Sequence, residues 1–350
     1  MSASGGAVSR DPAAAVGAIV DAAGSHVAPL LARIEERLSA AASGHGEVLG
    51  AHAGETISAG GKRLRPLLVV LAAGPAAHDE ERVVRAAVAV ELVHSATLVH
   101  DDVLDEAPLR RGRPTVVARA GAGMATATGD LLFSRAFAEL AAAGGRPEAL
   151  RALSAASSAL ARGELLQRAD AWSPAVTVAR YLERCELKTA RLFQAACELG
   201  ALEAGWGEPA RSSGRWDTRS GPEVVEALGA FGRRIGLAFQ LLDDVLDVSG
   251  PAERTGKHRG ADLLDGTITL PLILARERDR ELAGLDPRSV RTSEQAATVC
   301  DAVVATGALQ EARGWALSMV REARTRLPAL PAVQRRALEL VAESVVERYA

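Results

Sequence analysis

Two copies of one acidic pattern stand far apart in this chain, Asp101-Asp102-Val103-Leu104-Asp105 and Asp243-Asp244-Val245-Leu246-Asp247. On a helix, carboxylates at i and i+4 leave from one face, and the one at i+1 lies roughly 100° round the same end, so each copy presents a compact oxygen surface. Oxygen donors without histidine or cysteine partners suit hard divalent cations. Mg2+ in particular is shared between one or two carboxylates, water and substrate phosphates, so the ligand implied is a phosphorylated molecule. Each copy closes an apolar segment, Ala96-Thr97-Leu98-Val99 before the first and Leu237 to Leu242 before the second. Each also lies just before a helix stop, Pro108 or Gly250-Pro251, where the helix dipole opposes negative charge. Helix stability gives no reason for that placement. A lone copy would read as a solvated acidic face; two copies embedded in apolar sequence do not.

A basic set matches the acidic one in chemical purpose. Gly60-Gly61-Lys62-Arg63-Leu64-Arg65-Pro66 packs three cations into a glycine-opened turn that enters a helix, a setting that binds phosphate through side chains and backbone N–H groups. Arg110-Arg111-Gly112 follows the first acidic copy after a short turn, close enough to share its ligand, and guanidinium holds phosphate bidentately. Lys188-Thr189 sits within an otherwise apolar helix and Lys257 in a glycine-flanked loop after the second copy. Either lysine taken singly reads equally as a surface residue. His94 and His100, on the helix of Asp101, fit a core histidine or a diphosphate contact, and spacing leaves both open.

The elements that must position these groups are helices. Helical periodicity covers residues 13–42, 45–58, 65–73, 80–105, 125–142, 148–169, 176–204, 222–248, 270–282, 293–306, 308–327 and 332–349, and no strand-like alternation competes with it. The expected fold is all-α, a single-domain helical bundle around a central cavity over residues 13–350, behind a mobile tail of residues 1–12. Breakers mark loops at Gly60-Gly61, around Pro108, and at 205–221 and 250–266, of which 205–221 reads as a surface insertion.

Composition narrows the class. The 350 residues are 48% hydrophobic but only 3% aromatic, enough for a well-buried core and biased toward helix. A net charge of -3, without a basic stripe interleaved with aromatics, argues against a nucleic-acid partner. Cys185, Cys197 and Cys300 are an odd number without metal-ligand spacing, as expected of thiols in a reducing cytosol. The first twelve residues lack the apolar core of a signal peptide, and no later run is expected to approach a membrane span, the longest candidate being 66–73. A soluble cytoplasmic enzyme is expected.

Taken in order, the motifs resemble those of the trans-isoprenyl diphosphate synthases, or polyprenyl synthetases. The resemblance is carried by Gly60 to Pro66, His100 to Asp105 with Arg110-Arg111-Gly112, Gly129-Asp130, Lys188-Thr189, Phe239 to Asp244 and Gly256-Lys257. It implies a head-to-tail condensation of an allylic diphosphate with isopentenyl diphosphate. It further implies Mg2+, three ions with diphosphate bound and Mn2+ as the alternative, held by Asp101, Asp105 and Asp243 with support from Asp102, Asp244 and Asp247. By the same resemblance Arg110, Lys188 and Lys257 contact the allylic diphosphate, and Thr189 and Gln240 line the reacting centre. Lys62, Arg63, His94 and Arg111 form the isopentenyl diphosphate site, the released diphosphate takes the final proton, and the enzyme is a homodimer.

Product length follows from the same resemblance. In the family a bulky aromatic five residues before the first aspartate stops growth at fifteen carbons; here that residue is Ala96, roughly 7.5 Å deeper along the helix. Thr97, Val93 and Leu92 add no aromatic floor, although Phe133 could supply one from another helix. The expected product has twenty carbons or more. Thr267 stands where many relatives carry lysine, which puts loop closure over the site in question. Two other classes fit less well. A class I terpene cyclase would carry an Asn/Ser/Glu motif on the second helix and an aromatic-lined pocket, and a regulatory subunit would have lost one aspartate cluster.

Overall fold

A computed structural model describes residues 12–43, 46–58, 61, 63–75, 77, 79–110, 112–142, 144, 146–205, 222–250 and 259–347. Lys62, Arg111, Lys257 and, apart from Gly205, the expected insertion at 205–221 lie outside the described residues.

The architecture is the expected all-α bundle, and its centre is α5, Glu80–Leu104. Asp79 caps this helix by accepting from the backbone N–H of Arg82 at 3.2 Å, and Glu80 and Glu81 place negative charge at the positive end of its dipole. Thirteen of the seventeen residues from Val83 to Val99 are buried, so most of this stretch of α5 is enclosed by other helices, as its largely apolar sequence requires. Its neighbours are α2 (Val27–Ala42), α4 (Leu64–Ala73), α6 (Val116–Ala142), α7 (Pro147–Asp170) and α9 (Arg191–Glu203). The expectation that no run approaches membrane-span length needs correction here. One 18-residue window of α5 has a mean hydropathy of 1.3, yet 72% of that window is buried inside the bundle, so its apolar surface is used by other helices.

Several boundaries move for identifiable reasons. The stretch 13–42 is two helices, α1 (Pro12–Ala23) and α2, because Gly24 adopts φ 100 and turns the chain. Residue 12, expected in the tail, already belongs to α1. A helix α3 follows at Glu47–Ser58. Two short strands after α5, β1 (Leu109–Arg110) and β2 (Arg113–Pro114), form an antiparallel hairpin too small to show alternation in sequence. Beyond it α6 starts nine residues earlier than periodicity suggests, with a kink at Gly121 (φ 80, ψ 169).

Residues 176–204 form α8 (Val178–Cys185), a π-helical segment (Glu186–Ala190) and α9 in one continuous run. After α10 (Pro222–Ser249) and the short α11 (Ala261–Leu264), the stretch 270–282 divides into α12 (Leu270–Arg276) and α13 (Arg280–Gly284). Asp279 makes that break by accepting from the backbone N–H groups of Glu281 and Leu282. Helices α14 (Ser293–Ala305), α15 (Ala308–Thr325) and α16 (Ala332–Glu347) complete the chain, and α15 packs along α10.

Candidate active site

The last turns of α5 present one stripe, His94, Thr97, Leu98, Asp101 and Leu104, to a cavity of about 440 Å³. Its remaining walls come from Arg65 on α4, Phe133 on α6, Leu160 and Glu164 on α7, and Lys188, Thr189 and Leu192. Asp101 faces this space. Burial pushes its carboxyl up to about 6, against the opposing charge of Lys188, while Glu164 across the cavity raises it further.

The other carboxylates of the first cluster diverge from Asp101, because each step along a helix turns a side chain by about 100°. Asp102 is buried and accepts from Arg110 Nε at 2.7 Å, beside a second cavity of about 320 Å³. Burial raises its carboxyl above the usual range, and the Arg110 pair opposes that shift. Asp105, at the helix end, accepts from Arg168 at 2.7 Å.

In the second cluster Asp243 is exposed, whereas Asp244 is only 3% exposed and accepts two hydrogen bonds. Tyr181 Oη donates to Asp244 Oδ2 at 2.6 Å, and Gln240 Nε2 donates to Oδ1 at 2.8 Å. Burial holds the Asp244 carboxyl well above the usual range, and the neighbouring charge of Asp262 pushes the same way. Asp262 is brought there by the second cluster itself. The Asp247 carboxylate accepts from Asp262 N at 3.4 Å and the Asp247 carbonyl from Gly260 N at 3.0 Å, which holds the start of α11 against α10. Asp244, Asp262, Gln240 and Arg184 line a polar pocket of about 180 Å³. Lys188 and Thr189 line both this pocket and the 440 Å³ cavity, so the two acidic clusters flank one hollow.

Lys188 and Thr189 owe that shared position to the π segment, whose widened turn alters the phase at which side chains leave the helix. Two glycines pinch it. A Cβ at Gly163 on α7 would lie 2.7 Å from Lys188 N, and one at Gly236 on α10 would lie 2.8 Å from Ala190 Cα. Lys188 Nζ donates to Glu164 at 2.5 Å. Gly163→Ala is expected to force the segment away from α7 at a cost of about 1–3 kcal/mol, read as a lower urea midpoint; an unchanged midpoint would mean that the contact relaxes freely.

The glycine-opened basic turn divides its cations. Arg63 adopts φ 46, and its guanidinium donates to Glu35 at 2.6 Å, to Glu91 at 2.8 Å and to the Ile57 carbonyl at 2.9 Å. Arg65 is the cation that faces the cavity, 4.7 Å above the Phe193 ring, with a buried Nε that has no hydrogen-bond partner. Burial lowers its guanidinium to about 10. Sequence reasoning counted Arg65 only among the three cations of the turn, and α4 carried no signal to single it out, because every residue from Pro66 to Ala73 is apolar and buried. Glu164 and Asp262 were missed as well, and neither carries a local signal.

Of the residues expected along the growing chain's path, Thr97 lines the cavity. Ala96, Val93 and Leu92 are fully buried and lie in the core beside it. Five residues before Asp101 is roughly 140° round the helix from it, whereas four is roughly 40°. Phe133 lines the cavity and stacks on His100 at 5.8 Å.

Among the described residues no three acidic, histidine or cysteine side chains converge on one cation position. The donors at the hollow are oxygens from α5, α7, α10 and α11, a set that fits an ion shared with bound phosphate better than one caged by protein alone.

Residues 47–305 match the polyprenyl synthetase family model. The chain belongs to that family. This synthetase is 39% identical over 289 residues to heptaprenyl diphosphate synthase component 2 of Geobacillus stearothermophilus, covering 82% of this chain and 85% of the relative. It is 35% identical over 278 residues to the geranylgeranyl diphosphate synthase of Methanosarcina mazei, covering 78% and 81%. The crystal structure of a decaprenyl diphosphate synthase from Rhodobacter capsulatus superposes with a TM-score of 0.83 at 31% identity, over 96% of this chain and 99% of that one. The synthetase is therefore a prenyltransferase with the isoprenyl synthase fold.

Proposed function

We propose that the synthetase condenses an allylic diphosphate with isopentenyl diphosphate head-to-tail, giving a trans-polyprenyl diphosphate of twenty or more carbons, as a cytoplasmic homodimer in which residues 13–350 act as one domain. The observation that carries this reading is the single hollow between the two acidic clusters, opening into a mostly apolar cavity. Asp101 and Asp105 from α5 and Asp243 from α10, with Asp102, Asp244 and Asp247 in support, would hold Mg2+, three ions when diphosphate is bound; Mn2+ suits the same oxygens. Bound there, Mg2+ neutralises the charge gathering on the departing diphosphate.

The chain's own groups do the rest. Lys188 exchanges Glu164 for a phosphate oxygen, Arg110 exchanges Asp102, and Lys257 is the third contact. Thr189 and Gln240 flank the allylic C1. As the C1–O bond breaks, its electron pair leaves with diphosphate, the isopentenyl double bond supplies the pair for the new C–C bond, and the proton lost in restoring a double bond passes to the released diphosphate. Arg65 joins His94, Lys62 and Arg111 at the isopentenyl diphosphate, taking the place expected for Arg63, whose donors already serve Glu35, Glu91 and Ile57.

The test is incubation with labelled isopentenyl diphosphate, Mg2+ and single allylic primers, followed by chain-length analysis of the dephosphorylated products. A ladder ending at twenty carbons or beyond is expected. Failure of Mg2+-dependent condensation with every primer would overturn the reading, and a ladder ending at fifteen would overturn its chain-length part. Phe133→Ala removes the aromatic from the cavity wall and is expected to shift the ladder by one or more five-carbon units upward; an unchanged ladder would place the floor elsewhere.

A further inference from the structure

Behind the reacting hollow runs a chain of three hydrogen bonds. Thr189 Oγ1 donates to Gln240 Oε1 at 2.8 Å, Gln240 Nε2 donates to Asp244 Oδ1 at 2.8 Å, and Tyr181 Oη donates to Asp244 Oδ2 at 2.6 Å. Thr189 and Gln240 line the polar pocket. Tyr181 stands at the far end, fully buried, and lines neither that pocket nor the 440 Å³ cavity. Its ring lies 5.4 Å from the Arg184 guanidinium, which is itself anchored by donating to the Ile268 carbonyl at 2.6 Å. The phenol thus has a fixed place between α8 and α10.

A primary amide has a donor end and an acceptor end, so whichever end Asp244 takes decides which end is left for Thr189. With one oxygen of Asp244 engaged by the Tyr181 hydroxyl, the other is held toward Gln240 and accepts its NH2 group. The Gln240 oxygen is then turned to Thr189 and receives the only hydroxyl hydrogen that Thr189 has. Gln240 Oε1 and Thr189 Oγ1 each keep a lone pair at the polar pocket that both residues line.

We propose that Tyr181 is a positioning residue for prenyl transfer: by donating to one oxygen of Asp244 it holds the other where it accepts from the Gln240 amide, so that Gln240 Oε1 and Thr189 Oγ1 lie with oxygen lone pairs toward the allylic carbon. This rests on the reading that Gln240 and Thr189 flank that carbon. As the C1–O bond breaks, C1 gains positive charge, and dipoles already aimed at it with their negative ends stabilise the transition state without reorganising. A reversed amide would aim positive hydrogens at the same carbon. Tyr181 touches neither substrate, so its removal should slow the chemical step and leave binding alone.

Tyr181→Phe tests this, because it keeps the ring beneath Arg184 and deletes only the hydroxyl. The single-turnover rate of the first condensation is expected to fall roughly tenfold, a modest share of what one oriented dipole is worth. The KM values for both diphosphates should stay within roughly twofold, as for a group that acts only in the transition state. The second arm is a cycle with Gln240→Leu, in which adding Tyr181→Phe should cost no further rate, since the amide it orients is gone. Urea midpoints of all four proteins establish that the rates compare folded enzymes. An unchanged rate in Tyr181→Phe, or a loss that multiplies with that of Gln240→Leu, overturns the positioning role. If Gln240→Leu alone leaves the single-turnover rate unchanged, the placement of Gln240 beside the reacting carbon is what fails, and the proposal falls with it.

Discussion

Asp101→Asn is expected to make the substrate-free protein more stable while removing nearly all of its activity. The Asp101 carboxyl sits at about 6 in the folded chain, against a reference of 3.8, chiefly because burial penalises its charged form. Between those two values the folded state holds a proton that the unfolded state has released, so folding stability falls as pH rises through that window. Above pH 6 the whole penalty applies, about 3 kcal/mol for a shift of this size before residual solvation reduces it. Asparagine keeps the shape and carries no charge. The urea midpoint of the variant should therefore exceed that of the wild type at pH 7.5, and the gain should shrink toward pH 4. Condensation should drop by roughly a thousandfold or more, as expected when a group acting on the leaving charge is lost. Equal midpoints at pH 7.5 would show that Asp101 is solvated in the free protein and that its charge costs little.

Arg65→Met should produce the same pairing of effects on the opposite charge. The Arg65 guanidinium is buried, lowered to about 10 by that burial, and leaves Nε without a partner. Among the described residues the carboxylate that acts on its charge, Glu91, already holds Arg63 at 2.8 Å and would not be orphaned. Replacing a buried ion by an apolar side chain of similar length is often neutral or stabilising by about 1–4 kcal/mol. The missing contacts should reappear as substrate affinity. Hydrogen bonds to a charged group contribute about 1.5–3 kcal/mol each, so KM for isopentenyl diphosphate should rise by roughly ten- to a hundredfold, with a smaller change for the allylic substrate. Equal KM values for both substrates in variant and wild type would remove Arg65 from the site. In both variants a stability gain accompanies a functional loss, the pattern of groups kept under strain for a ligand.

The helices and the pairing of two aspartate clusters were legible in the sequence because each is a local pattern. Periodicity is set by backbone geometry within one turn, and the repeated motif with its ordered basic companions needs no knowledge of what faces it. The breaks at Gly24 and Asp279 were equally local, though the helical period resumes soon after each of them. Identity of the family was within reach for the same reason.

What each side chain meets was decided only by the tertiary structure. A change of one residue turns a side chain about 100° round its helix, so neighbours in a motif part company: Asp101 faces the cavity, Asp102 pairs with Arg110 and Asp105 with Arg168. The left-handed turn at Arg63 sends that cation back to Glu35 and Glu91 and leaves Arg65 to face inward. Thr97 rather than Ala96 reaches the cavity by the same rule of phase. Glu164, Tyr181 and Asp262 join the site from 24, 63 and 15 positions away from their partners Lys188, Asp244 and Asp247, through helix packing, the π segment and the capping of α11 by Asp247. Local sequence sets the period of each helix, but the rotation of one helix against another depends on side chains distant in the chain, and that rotation determines which carboxylates and cations share one hollow.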